Sequence, residues 1–112
     1  MGSIEGFWTV EFGSTTGRFG AGVVVFLNGG VMGGDNGYFY LGTYESLGGN
    51  EFRAVVDITP FVPGIESVFG ALGRPLKLVI TGTLTDESHA IAQGQPAGMP
   101  NLRLGVKLTK RK

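Results

Sequence analysis

The sequence is a succession of short runs in which residues alternate between two faces, and nearly every run ends in a glycine-rich turn. Alternation with a period of two is the signature of a strand. Connections of only a few residues can join antiparallel neighbours, because a parallel crossover needs a dozen or more. Trp8, Val10 and Phe12 share one face of the first run and Thr9 and Glu11 the other. Asn28-Gly29 separates two later runs. It is the strongest short-range hairpin signal, since both residues tolerate positive φ. Glycine accounts for 21 of 112 residues, against a usual share of about 7%, and no Gly-X-Y period excuses it as collagen.

The runs fall at about 5–12, 18–27, 30–32, 38–45, 51–59, 76–85, 89–93 and 101–109. Inward faces are expected for Phe52, Ala54, Val56 and Ile58, for Leu76, Leu78, Ile80 and Leu84, and for Leu102, Leu104, Val106 and Leu108. The run 18–27 is apolar on both faces: Phe19, Ala21, Val23, Val25 and Leu27 alternate with Val24 and Phe26. Taking the first set as inward leaves Val24 and Phe26 outside, an apolar pair able to seed a dimer face. The period changes after Pro60 and Pro63-Gly64. There Ile65, Val68, Phe69 and Leu72 stand at helical spacing, with Gly73 and Pro75 as stop signals. So short a helix is unstable alone and needs an apolar support, such as the end of a barrel. The expected fold is all-β: a single antiparallel barrel domain over residues 1–112, of about eight strands. One short capping helix at about 64–72 lies between the fifth and sixth strands. A two-sheet sandwich is the competing architecture.

Chemistry is conspicuous by its missing parts. Nine basic residues balance nine acidic ones, so no overall field attracts nucleic acid or an anionic membrane. The one basic cluster, Lys107, Lys110, Arg111 and Lys112, reads as a solvated tail. There is no cysteine, hence no disulfide or thiolate, which points to the cytoplasm. The N-terminus has no signal-peptide pattern, and no apolar stretch is long enough for a membrane span. No phosphate-binding loop, dinucleotide fingerprint or nucleophile elbow occurs. His89 is the single histidine, without a second ligand to share a metal. The carboxylates are scattered over turns and outward positions. A non-enzyme without cofactor or metal is therefore expected.

One stretch is ordered beyond what a strand needs: Gly33-Gly34-Asp35-x-x-Tyr38-x-Tyr40-x-Gly42-x-Tyr44. Asp35 can cap its turn by accepting backbone N–H bonds. The tyrosines share a face, and a polar-tipped aromatic face can also meet a ligand or partner. Alternation alone leaves open whether the tyrosines or Phe39 and Leu41 point inward.

Together with Gly6-Phe7-Trp8, Gly20-x-Gly22-Val23 and Gly29-x-x-x-Gly33-Gly34-Asp35, this stretch resembles the GrlR-like family of small bacterial regulators, the negative regulators of type III secretion. The similarity covers mainly residues 6–58. It implies a lipocalin-like eight-stranded barrel that can dimerise and that represses by binding a transcriptional activator. The family's contact is an acidic run after the strand matching Tyr38 to Tyr44. This chain has Ser46-Leu47-Gly48-Gly49-Asn50-Glu51 there, so the partner interface does not carry over.

Two functions follow as expectations. One is a regulatory barrel, homodimeric, acting by contact with a protein partner. The other is a carrier or sensor of a small apolar ligand or lipid. Eight strands are just wide enough either to fill with side chains or to hold one small ligand. Trp8, Phe12, Phe52, Leu78 and Leu104 are the expected lining; their bulk argues for a filled interior, whereas Ala21, Ala54 and Gly82 argue for space.

Overall fold

The computed structural model describes residues 3–15, 17–64, 75–99 and 101–112. Eight strands follow one another: β1 (Gly6–Ser14), β2 (Phe19–Leu27), β3 (Gly30–Gly34), β4 (Tyr38–Gly48), β5 (Glu51–Pro60), β6 (Leu76–Asp86), β7 (His89–Pro96) and β8 (Leu104–Lys110). Each pairs antiparallel with the next, and β8 returns to β1, so the sheet closes as a barrel and the sandwich is excluded. Closure leaves no edge strand. Asn28 and Gly29 both take positive φ, 51° and 81°, as a two-residue hairpin turn requires.

Two ends result. The 28–29, 49–50 and 87–88 turns and both termini gather at one end. The 35–37 turn and the described residues of the 15–18, 61–75 and 97–103 connections lie at the other. The helix expected at about 64–72 falls, from residue 65 onward, outside the described residues.

Val24 and Phe26 do not form an outer face. They are 6% and 4% exposed and belong to the core. The register decides this, because residues directly opposite in an antiparallel pair share a face. Val24 pairs with the fully buried Trp8, and Phe26 with the buried Val31. The inward face of β2 thus contains Gly20 and Gly22, and the more continuous apolar set, Phe19, Ala21, Val23, Val25 and Leu27, lies outside. The glycines explain the inversion. A Cβ on Gly20 would lie 2.6 Å from the Phe12 ring, and one on Gly22 would lie 2.6 Å from the Gly34 carbonyl oxygen. These inward positions are small so that neighbouring aromatic rings and backbone can occupy the space. Elsewhere the expected inward faces of β1, β5 and β6 hold. Strand β7 extends to Pro96, beyond the expected 93, because Gly94 and Pro96 pair with Ile80 and Leu78. Strand β8 begins at Leu104 and not at 101.

Candidate ligand-binding cavity

The interior is filled at one end and hollow towards the other. At the end carrying the termini, Trp8 is completely buried, and its indole N–H donates to the Ile4 carbonyl oxygen at 2.7 Å. The Lys110 ammonium lies 5.7 Å from its ring centroid. Next to this plug, Phe26 meets Tyr44 edge-on at 5.2 Å and Phe52 at 6.0 Å. Such edge-to-face pairs add to the burial of their area.

Beyond this aromatic layer lies a cavity of about 190 Å³. Its wall is overwhelmingly aliphatic and aromatic. Of the five residues expected to line it, Phe12, Phe52, Leu78 and Leu104 do so. Trp8 does not, because it enters at the start of β1 and belongs to the plug. Small residues make the space: Ala54 and Ala92 stand in the wall where larger side chains would fill it. Ala92 escaped the sequence reading because it lies in the short, weakly patterned run 89–93. Its pairing with Gly82 and Val106 fixes it inward.

The tyrosines of β4 face inward. Tyr38 and Tyr40 are buried and line the cavity. Tyr44 packs on Phe26 in the plug, while Phe39 and Leu41 are exposed outside. Asp35 carries out the capping expected of it. Its Oδ1 accepts the backbone N–H groups of Gly37 and Tyr38, both at 2.9 Å. Its Oδ2 accepts a hydrogen bond from the Tyr40 hydroxyl. Burial, and then this bond and the adjacent carboxylate, push the Tyr40 phenol far above its ordinary value, so it stays protonated. Gly33, Gly34 and Gly42 are absent from the lining. They let strands approach: Cβ atoms on Gly33 and Gly42 would each lie 2.8 Å from a neighbouring Cα, those of Val24 and Val56. The ordered stretch is thus one device, a capped turn that delivers two tyrosines to the cavity and one to the plug.

His89 and Asp86 meet on the surface at 2.9 Å, in the turn where the Ser88 N–H also bonds Asp86. Among the described residues, no group of three or more His, Cys, Asp or Glu stands close enough to hold a metal, and no helix is long and apolar enough to cross a membrane.

The chain superposes on the solved structure of a redesigned β barrel with a TM-score of 0.72 at 16% identity, covering 97% of this chain and 92% of the other. A likeness at that identity shows the fold and nothing more. No protein-family model and no curated protein sequence matches the chain.

Outside the barrel, β1 to β4 are also unusual. Phe7, Val25, Met32 and Leu41 form one row across four strands, paired in that order. Val23, Leu27 and Phe39 flank the row, and Met32 and Leu41 are 47% and 53% exposed. Between Arg18 and Glu45 the one charged residue is Asp35, and both its oxygens are already engaged. The opposite wall carries Arg53, Asp57, Lys77, Thr81, Thr83 and Lys107 on its outer face, beside the exposed Ile91, and is more polar.

Proposed function

We propose that this protein is a non-enzymatic binding barrel whose interior holds one small, largely apolar ligand. The observation that carries the reading is the cavity itself: about 190 Å³ of apolar space in a molecule whose opposite end is tightly packed. A dry apolar cavity of about 150 Å³ is enough to bind benzene, whereas drug-sized ligands use roughly 300–1,000 Å³. The volume therefore favours a compact ligand over a long-chain lipid. Native mass spectrometry of the purified protein, followed by solvent extraction, should find a small organic molecule. Ala54→Phe, which places a ring in the cavity, should abolish its retention while the barrel stays folded. Wild type and variant each at the mass of its bare chain, with an empty extract, would refute the reading.

A second reading, contact with another protein chain, has its own support in the apolar outer wall of β1–β4. Large exposed apolar patches on soluble proteins commonly mark interaction sites. This is the wall through which a homodimer, or the regulatory contact implied by the resemblance to lipocalin-like GrlR-type regulators, would form. Met32→Lys and Leu41→Lys should leave the fold intact and shift sedimentation at micromolar concentration towards monomer. Monomer in the wild type under those conditions would remove the homodimer.

A further inference from the structure

The polar groups of the cavity carry information about ligand chemistry, and the following rests on the reading that the interior is a ligand site. Among the described residues the lining contains one charged side chain, Asp35, and no Lys, Arg or His. Asp35 Oδ1 is taken by two backbone N–H groups, and Oδ2 accepts a hydrogen bond from the Tyr40 hydroxyl. A phenol has a single proton to give but lone pairs to spare. With that proton committed to Asp35, Tyr40 presents an acceptor to the cavity, and so does the remaining lone pair of Oδ2. Tyr38, the other phenol of the wall, is not without a partner either. Asn36 can donate, but it is exposed, where water competes for its amide. No buried side-chain polar atom among the described residues lacks a hydrogen-bond partner, so the pair is not waiting for a donor to complete it; it offers surplus acceptor capacity.

We infer that the cavity takes a compact apolar molecule bearing a hydrogen-bond donor, neutral or cationic, and discriminates against carboxylates. A carboxylate placed here would have to draw the Tyr40 proton away from Asp35, leaving two carboxylates facing each other in an apolar wall. Like charges at short range and an unpaired buried acceptor both oppose that arrangement. A hydroxyl or ammonium adds its proton to the existing network without breaking it. The assigned ligand is thus the chemical opposite of a free fatty acid, although the apolar wall would suit either.

The test compares three probes with one chain and three heads: 1-octanol, octylammonium and octanoate, titrated calorimetrically into the full chain at pH 7. Octanol and octylammonium should each bind at least tenfold more tightly than octanoate. Asp35→Asn retains an oxygen for the turn N–H groups and removes the charge, so the gap between octanol and octanoate should shrink. Should that variant fail to fold, as judged by circular dichroism, Tyr40→Phe decides. It strips Asp35 of its donor, and the gap should widen. A wild-type gap below tenfold, or a gap that neither variant moves, overturns the inference and leaves the ligand site standing. Failure of all three probes to bind overturns the ligand site and the inference together.

Discussion

At Gly42 the backbone of β4 runs so close to β5 that an added Cβ would lie 2.8 Å from the Val56 Cα and closer still to the Val55 carbonyl oxygen. Ordinary contact begins at 3.4 Å, so the Gly42→Ala substitution must part the two strands by at least the 0.6 Å difference. Neither obstacle is the tip of a flexible side chain; both are backbone in the middle of a ladder. Overpacking of this kind costs about 1–3 kcal/mol. Stretching buried ladder hydrogen bonds adds about 1–3 kcal/mol where a group is left without its partner. Against this, a Gly→Ala change at an unstrained site stabilises by about 0.4–1 kcal/mol through the unfolded chain. The net expectation is a loss of about 2–4 kcal/mol, or roughly 8–16 °C in Tm for a domain of this size. Urea denaturation followed by tryptophan fluorescence would measure it, Trp8 being the single tryptophan. Gly105→Ala is the matched control in β8, where the nearest atom to an added Cβ is 4.0 Å away; it should be neutral or stabilising. If Gly42→Ala proves as stable as Gly105→Ala, the close approach of β4 to β5 is not what the glycine serves.

Three further outcomes are expected. Asp35→Ala removes the acceptor for two backbone N–H groups and for the Tyr40 hydroxyl, and should destabilise by about 1–3 kcal/mol in the same urea assay, whereas Asp35→Asn should retain most of the lost stability. Trp8→Ala empties the plug and should cost about 3–5 kcal/mol, read by differential scanning calorimetry; a loss under about 1 kcal/mol would mean the plug can collapse. The Ser88 N–H and then the His89 ring hold the Asp86 carboxyl below its ordinary value of 3.8. A depressed carboxyl contributes stability above that value and loses it as pH falls through the folded one. Asp86→Asn should accordingly flatten the acid side of the stability curve below pH 3.8 by a small, salt-sensitive amount, because the turn is fully exposed. An unchanged slope would count against the contact.

Much of the barrel was legible because each wall segment repeats the same instruction. In β1, β5 and β6, polar residues such as Glu11, Arg53, Asp57 and Lys77 mark the outer face, so the apolar face has one place to go. Strand β2 lacks that contrast. Both of its faces are apolar, and the sequence reading put the longer apolar set inside. The signal that decides against it, glycines at 20 and 22 where a Cβ would meet the Phe12 ring and the Gly34 carbonyl oxygen, acquires meaning only when the neighbouring strands and their register are known. The candidate site divides in the same way. Phe12, Phe52, Leu78 and Leu104 follow from alternation, whereas Ala92 and the exclusion of Trp8 depend on where each strand enters the barrel.

The sequence by itself determined the number of strands, their antiparallel order, the hairpin at Asn28-Gly29 and the capping role of Asp35, because these depend on residues close together in the chain. Tertiary structure alone decided that the tyrosines face inward, that one end is packed and the other hollow, and that the apolar wall of β1–β4 is on the outside. Those facts depend on register, and closing the sheet couples every strand's register to its neighbours', so a segment with apolar residues on both faces, such as β2 or β4, cannot by itself announce which face is in.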